Sequence, residues 1–330
     1  MKIVFCTREC WPGVRRNLDS IKQIITEMYP EADIQDYEIP NRPDMSLVHL
    51  LKSSNAPDFL FLGGWDGIIK NIVMNSNRAK TKIFLNWCSP LSQTDLGGEI
   101  PLFFDVINFM QIKMIDYVTV LLESDYKILR ETSDRFVYAP VYNDFSSLES
   151  QRKGSVPKAE NEINCDMFCA ANPRKNIFNQ IFALGQAPIR THVNFSQKMY
   201  VEAVKRYLKY PVIYGWVDRA KYLDLIQSMD FAMQVTLSEG YNITLAEHFY
   251  YEVPVICPWF LPYFKKAKEL TDILVEDPTD CSEIRRKINF LLGNKNARKE
   301  LGNLGKKIIL EDNLRNKQIL KELLGRVLGR

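Results

Sequence analysis

Glu239-Gly240-Tyr241-Asn242-Ile243-Thr244-Leu245-Ala246-Glu247 is the stretch on which the reading of this chain turns. Two carboxylates bracket a Gly-Tyr-Asn turn and the opening of a helix. Just upstream, residues 231–235 (FAMQV) form a short apolar run of the kind a buried strand needs. Downstream, a Tyr251-Glu252-Val253 turn leads into a second such run at 254–257. Glu239 therefore falls at the carboxyl end of a strand and Glu247 one turn into the following helix. In an open α/β sheet that edge is where ligands bind. A helix start offers unpaired N–H groups and a positive dipole end, which suit phosphate, while carboxylates accept hydrogen bonds from sugar hydroxyls. The combination points to a ligand carrying both, such as a nucleotide sugar. The competing structural reading is that Thr244-x-x-Glu247 is a capping box and Glu239 an ordinary surface carboxylate.

The order of elements around the stretch decides between these readings. Strand-like runs alternate with amphipathic helical stretches through the chain, the pattern of parallel α/β units. In the first half the strands are expected at 2–6, 59–62, 83–85, 117–122 and 136–139, with a helix over 14–29 ended by Pro30. Residues 143–164 are polar turn and linker material. A second alternating series follows, with strands expected at 166–169, 211–214, 231–235, 254–257 and 272–275 and helices at 199–208 and 221–229. The expected organisation is a Rossmann-like domain over 1–145, a linker over 146–164, a second Rossmann-like domain over 165–310, and a C-terminal helix over 311–330 packing back on the first domain. Two such domains leave a cleft between parallel sheets, the usual place for a ligand.

Bulk properties set bounds. The chain has 330 residues, 46% hydrophobic and 25% charged, with a formal net charge of +3, as soluble two-domain proteins do. No apolar run is long enough to span a bilayer, and the N-terminus moves straight into a strand-like run, so a cytoplasmic protein is expected. The seven cysteines are odd in number and mostly sit in apolar segments, as buried reduced thiols do. Cys6/Cys10 and Cys165/Cys169 share a spacing, but no cluster of partners makes a zinc site of them. Basic residues predominate from Lys295 to Arg330. They read either as a solvated helical face or as a surface for peripheral contact with anionic lipid or nucleic acid.

The second half resembles the donor domain of GT-B glycosyltransferases, specifically the retaining glycosyltransferase family 4. Four segments carry the resemblance in the family's order. Phe168-Cys169-Ala170-Ala171-Asn172-Pro173-Arg174-Lys175-Asn176 is similar to its first donor-domain strand and basic loop, and Tyr214-Gly215-Trp216-Val217-Asp218 to its nucleobase-contacting turn. Residues 221–230 resemble the helix before the motif strand, and the two-glutamate stretch follows in its place. The resemblance covers about residues 165–320 well and the first half in outline. It implies that Glu247 holds the ribose hydroxyls, that Glu239 contacts the transferred sugar, and that Lys175 and Arg174 neutralise the departing diphosphate. It further implies that Asn242, Ile243 and Thr244 offer helix N-terminal donors, that Trp216 and Val217 meet the nucleobase, and that Gly13 belongs to the donor site from the first domain. No cofactor and no metal is expected.

Three departures stand out. Cys169-Ala170 occupies the place of the family's Gly-Arg, residues 7–13 offer the single Gly13 where the family has a glycine-rich loop, and the family's cleft histidine has no counterpart among residues 84–90. Asn242 replaces a family Gly, and Asn is the residue that best tolerates the left-handed conformation in its stead. His248, beside Glu247, reads as packing or polar surface. The Gly63-Gly64-Trp65-Asp66-Gly67 turn is a candidate for the acceptor side. The expectation is a retaining, metal-independent glycosyltransferase using a nucleoside-diphosphate sugar, its acceptor a glycan, lipid-linked glycan, protein or DNA. Two alternatives stand beside it: a catalytically inactive nucleotide-sugar binding or regulatory protein, and a nucleic-acid glucosylating enzyme of the phage type.

Overall fold

A computed structural model describes residues 1–9, 12–40, 45–96, 98–149, 162–264 and 267–329. The chain divides into two compact units, Met1–Asn143 with Asn313–Arg330, and Asp144–Asp312. Each contains one six-stranded sheet, and every strand pair is parallel.

In the first unit the strands are β1 (Lys2–Arg8), β2 (Asp33–Ile39), β3 (Phe59–Gly63), β4 (Lys82–Trp87), β5 (Tyr117–Val120) and β6 (Phe136–Tyr138), in the order β2-β1-β3-β4-β5-β6. Because side chains alternate along a strand, two cores form. On one face Phe5, Phe61, Phe84 and Tyr117 stack as a row across four strands, with centroids 4.9, 4.8 and 5.0 Å apart. Helix Pro12–Met28 covers this row through Leu18, Ile21, Ile24 and Ile25, together with Leu320, Leu323, Leu324 and Val327 from the end of the chain. On the other face Val4, Leu60, Leu62, Ile83, Leu85 and Val118 pack beneath helices Met45–Lys52, Gly67–Met74 and Ile100–Gln111.

β2 was not expected from the sequence. Four of its seven residues, DIQDYEI, are acids or amides and all but Ile39 are at least partly exposed, because it is the edge strand and pairs only with β1. The Gly63–Gly67 turn is committed to structure. A Cβ on Gly63 would meet Val14, Leu18 and Thr7, Trp65 is buried with its indole N–H on Asp105, and Asp66 caps helix Gly67–Met74.

The second unit holds β7 (Asn164–Met167), β8 (Arg190–Val193), β9 (Tyr210–Ile213), β10 (Phe231–Met233), β11 (Val255–Pro258) and β12 (Leu274–Val275), in the order β9-β8-β7-β10-β11-β12. Counted within the sheet this is 3-2-1-4-5-6, the doubly wound order whose direction reverses between its first and fourth strands. Loops from β7 and β10 therefore diverge at their carboxyl ends and leave a crevice there. β8, with the sequence RTHV, was also missed, since an arginine and a histidine conceal a strand of four residues.

The expected linker lies largely outside the described residues; its first residues form the short helix Ser146–Glu149. The chain closes with the 33-residue helix Lys295–Val327. Several of its basic residues are in ion pairs: Lys306 with Glu252, Lys307 with Glu311, and Lys317 and Lys321 with Glu27. Among the described residues no helix is long and apolar enough to cross a membrane. Cys6, Cys165 and Cys257 are buried free thiols, while Cys10 lies outside the described residues.

Candidate functional site

The crevice between β7 and β10 is built by buried amide side chains. After β7 the chain runs through Phe168 to a 3₁₀ turn, Pro173–Lys175, and Asn176 then adopts a left-handed conformation (φ 55°) to open helix Ile177–Leu184. From that helix Gln180 donates to the Lys175 carbonyl at 2.7 Å and accepts from the Val235 N–H at 3.1 Å. Gln234 donates to the Phe168 carbonyl at 2.9 Å and accepts from the Asn242 amide at 3.3 Å. The Leu237 N–H donates to the Arg174 carbonyl at 2.8 Å. These bonds lace the loop after β10 to the loop after β7.

The result brings Glu239, Arg174 and Lys175 together. Glu239 Oε2 accepts from Arg174 Nη1 at 3.0 Å, and Lys175 Nζ binds the same oxygen. Burial by itself pushes the Glu239 carboxyl up; the charges and hydrogen bonds of Lys175 and Arg174 outweigh it and hold the group below its ordinary value. Two cations against one carboxylate leave this cluster net positive, at the place where the sheet order reverses.

The helix Ile243–Tyr250 starts beside it. Asn242 is its N-cap, at φ 63° and ψ 76°, and its side-chain oxygen accepts the Leu245 N–H at 3.1 Å. Asparagine does here what a glycine otherwise would. The capping-box alternative is thereby overturned: the N-cap is Asn242, not Thr244. Asn242 also takes the Ala246 N–H on its carbonyl. The N–H groups of Ile243 and Thr244 are among those a helix cannot satisfy internally.

Glu247, only 5% exposed, instead binds Arg219 Nη2 at 2.5 Å, and the Arg219 guanidinium lies 5.3 Å over the Tyr222 ring. Arg219 opens helix Arg219–Gln227, which Asp218 caps through the Lys221 N–H. In the preceding turn Gly215 takes φ 68°, Val217 is half-buried and Trp216 stands 85% exposed. Gly13 belongs to the other unit, exposed in the first turn of helix Pro12–Met28 with open space around its Cα.

His248 is neither surface nor simple packing. It is fully buried, and so is Asp166, whose Oδ2 lies 2.6 Å from His248 Nε2. Sequence reasoning passed over Arg219, Asp166, Gln180 and Gln234. Asp166 carried a usable signal, a charged residue between Cys165 and Met167 in a strand buried along its whole length, and Arg219 sat in the gap between two segments already singled out. The amides carried none. Among the described residues no group of three or more His, Cys, Asp or Glu side chains is placed to hold a metal ion.

No protein-family model matches the chain, and no curated protein matches its sequence. Solved structures match its fold. HepE from Anabaena, in complex with UDP-glucose, superposes with a TM-score of 0.71 at 13% identity, over 99% of this chain and 100% of that one. A trehalose-6-phosphate synthase analysed with bisubstrate glycomimetics gives 0.70 at 12% identity, over the whole of both chains. TarM from S. aureus, in complex with fondaparinux, α-GlcNAc-glycerol and UDP, gives 0.63 at 12% identity over 84% of this chain; the chain spans 57% of TarM's length. At these identities the likeness is one of fold. The chain has the α/β architecture of the GT-B glycosyltransferases, with its two parallel six-stranded sheets.

Proposed function

We propose that the protein is a retaining glycosyltransferase of the family 4 type that takes a nucleoside-diphosphate sugar as donor and needs no metal ion. The observation that carries this is the convergence of Arg174, Lys175 and Glu239 with the start of the Ile243–Tyr250 helix at the reversal point of the second sheet. In this reading the donor diphosphate lies between the Ile243 and Thr244 N–H groups and the two cations. As the bond from the sugar's anomeric carbon to the diphosphate breaks, its electron pair passes to the leaving oxygen, an acceptor hydroxyl oxygen bonds to that carbon and gives its proton to the departing diphosphate, and Arg174 and Lys175 stabilise the charge that develops there. They supply the positive charge that a divalent ion supplies elsewhere. Glu239 shares them with the diphosphate in the bound state and turns to the sugar hydroxyls, while Glu247 takes the ribose hydroxyls and Trp216 and Val217 the base.

The neighbours in complex with UDP or UDP-glucose make uridine donors the first to test, and retention is the outcome studied in the trehalose-6-phosphate synthase. Calorimetric titration with UDP-glucose and a panel of other nucleotide sugars, with and without EDTA, tests the donor site. Selective binding that survives EDTA and disappears in Glu247→Ala supports it; no response to any nucleotide sugar overturns it. A second reading, a nucleotide-sugar binder without turnover, draws support from Cys169-Ala170 standing where the family has Gly-Arg. Slow hydrolysis of a bound donor excludes that reading.

A further inference from the structure

His248 and Asp166 lie directly behind the donor-site helix, and no part of the reaction proposed above uses them. Both side chains are completely buried. His248 Nδ1 is 2.7 Å from the Thr244 carbonyl and Nε2 is 2.6 Å from Asp166 Oδ2. A carbonyl oxygen only accepts, and so does a carboxylate, so each ring nitrogen must carry a proton to satisfy its partner. An ionised Asp166 makes the ring between them an imidazolium, and the carboxylate neutralises it. The second carboxylate oxygen accepts from the Phe168 N–H at 3.4 Å.

The connection is a long-range one. Asp166 sits on β7, whose outgoing loop carries Arg174 and Lys175. Thr244 is in the first turn of the helix that carries Glu247. A single charged ring therefore ties the two sides of the crevice at their base.

We propose that His248 is a positioning residue: as a buried imidazolium it clamps the first turn of helix Ile243–Tyr250 to β7, and so holds the Ile243 and Thr244 N–H groups and Glu247 in register with Arg174 and Lys175. The functional half of this proposal rests on the donor site proposed above.

The surrounding groups make the clamp testable. Asp166 faces the ring from β7, and Glu247 acts on it from its own helix. His192 stands on β8 in register with Asp166, and Tyr222, near Glu247, Asp166 and Arg219, comes from helix Arg219–Gln227. Burial by itself pushes the His248 ring down; Asp166, the Thr244 carbonyl and Glu247 together outweigh it, and the net direction is up. His192 goes the other way. Burial pushes it down to about 4, and it is satisfied by Asn164 at 2.9 Å and the Tyr214 hydroxyl at 2.8 Å. His49 is exposed. The two buried histidines should therefore separate into one neutral ring, His192, and one charged ring, His248.

The experiment uses the full chain with labelled histidines. Imidazole resonances are followed from pH 5.5 to 8.5 and assigned with single His→Gln variants. His248 is expected to stay doubly protonated through pH 7 while His192 stays neutral over the same range. Amide-exchange protection over residues 244–250 and UDP-glucose affinity are then measured for the wild type, His248→Ala and Asp166→Asn. His248→Ala is expected to lose protection in this helix and to weaken UDP-glucose about tenfold or more, as loss of an orienting partner does elsewhere. Asp166→Asn can still hydrogen-bond a neutral ring, so it should keep most of the protection while His248 loses its charge. A neutral His248 at pH 7, or wild-type protection in His248→Ala, overturns the clamp. A wild-type protein that binds no nucleotide sugar overturns the donor site instead, and the resonance and exchange measurements still decide the clamp.

Discussion

Arg219 closes on Glu247 at 2.5 Å, so the carboxylate proposed for the ribose is held by a guanidinium. The pair is lopsided: the Glu247 side chain is 5% exposed and that of Arg219 40%. Water can take over the guanidinium far more easily than the carboxylate.

That asymmetry separates stability from binding. Arg219→Ala leaves a buried carboxylate without its cation and is expected to cost about 1–3 kcal/mol. Glu247→Gln keeps the shape and an acceptor for Arg219, and should cost less than about 1 kcal/mol while losing most nucleotide affinity. Chemical denaturation and titration of both variants check this; equal losses of stability would show that the pair is not held as described.

Acid should act on the Arg174–Lys175–Glu239 cluster with a defined sign. The Glu239 carboxyl is held below its ordinary value by Lys175 and Arg174. Its contribution to stability is therefore complete above the unfolded-state value, about 4.3, and is lost as pH falls through the lower folded-state value. Denaturation midpoints of the wild type and Glu239→Gln, taken from pH 7 to pH 3, should differ by a constant amount down to about pH 4.5 and converge below it. Curves that stay parallel to pH 3 would contradict the ion pair.

Two glycines in the closing helix are required by packing. A Cβ on Gly302 would lie 1.9 Å from the Glu252 carbonyl oxygen, and one on Gly305 1.9 Å from the buried ring of Phe249. Alanine at either position is expected to destabilise by about 1–3 kcal/mol, the range for overpacking. Gly325 is the control within the same helix, since its Cβ would make only an ordinary contact with Met28. There alanine should stabilise, by up to about 1 kcal/mol, through helix propensity. Thermal unfolding of the three variants reads the contrast.

Trp216 is too exposed to owe its place to the core. Trp216→Ala should change stability by no more than about 0.5 kcal/mol, yet weaken nucleotide binding about tenfold if a base stacks on the indole, a loss of roughly 1.4 kcal/mol. Quenching of the Trp216 fluorescence by UDP, lost in the variant, is the direct measurement.

Much of this architecture could be read from the residues, and what escaped has physical causes. The central strands β10 and β11 announce themselves because both their faces are buried and their residues are almost all apolar. β2 escaped because an edge strand tolerates Asp, Gln and Glu on an open face. Glu239, Arg174 and Lys175 were assigned to one site by the family resemblance, which matches both of their segments in order. The Arg219–Glu247 and His248–Asp166 pairs could not be placed together, since each joins elements distant in sequence whose side chains meet only in the folded unit. His248 was misjudged for the same reason: its partner lies on β7, not within its own helix.

The core of the first unit borrows Leu320, Leu323, Leu324 and Val327 from the very end of the chain. During synthesis the sheet made first therefore waits, its stacked phenylalanine face incompletely covered, until residues 320–327 have left the ribosome. At roughly 5–20 residues per second that delay is on the order of tens of seconds. Over that interval the nascent protein displays the kind of apolar surface that chaperones bind, and a chain cut before Leu320 would leave that face uncovered.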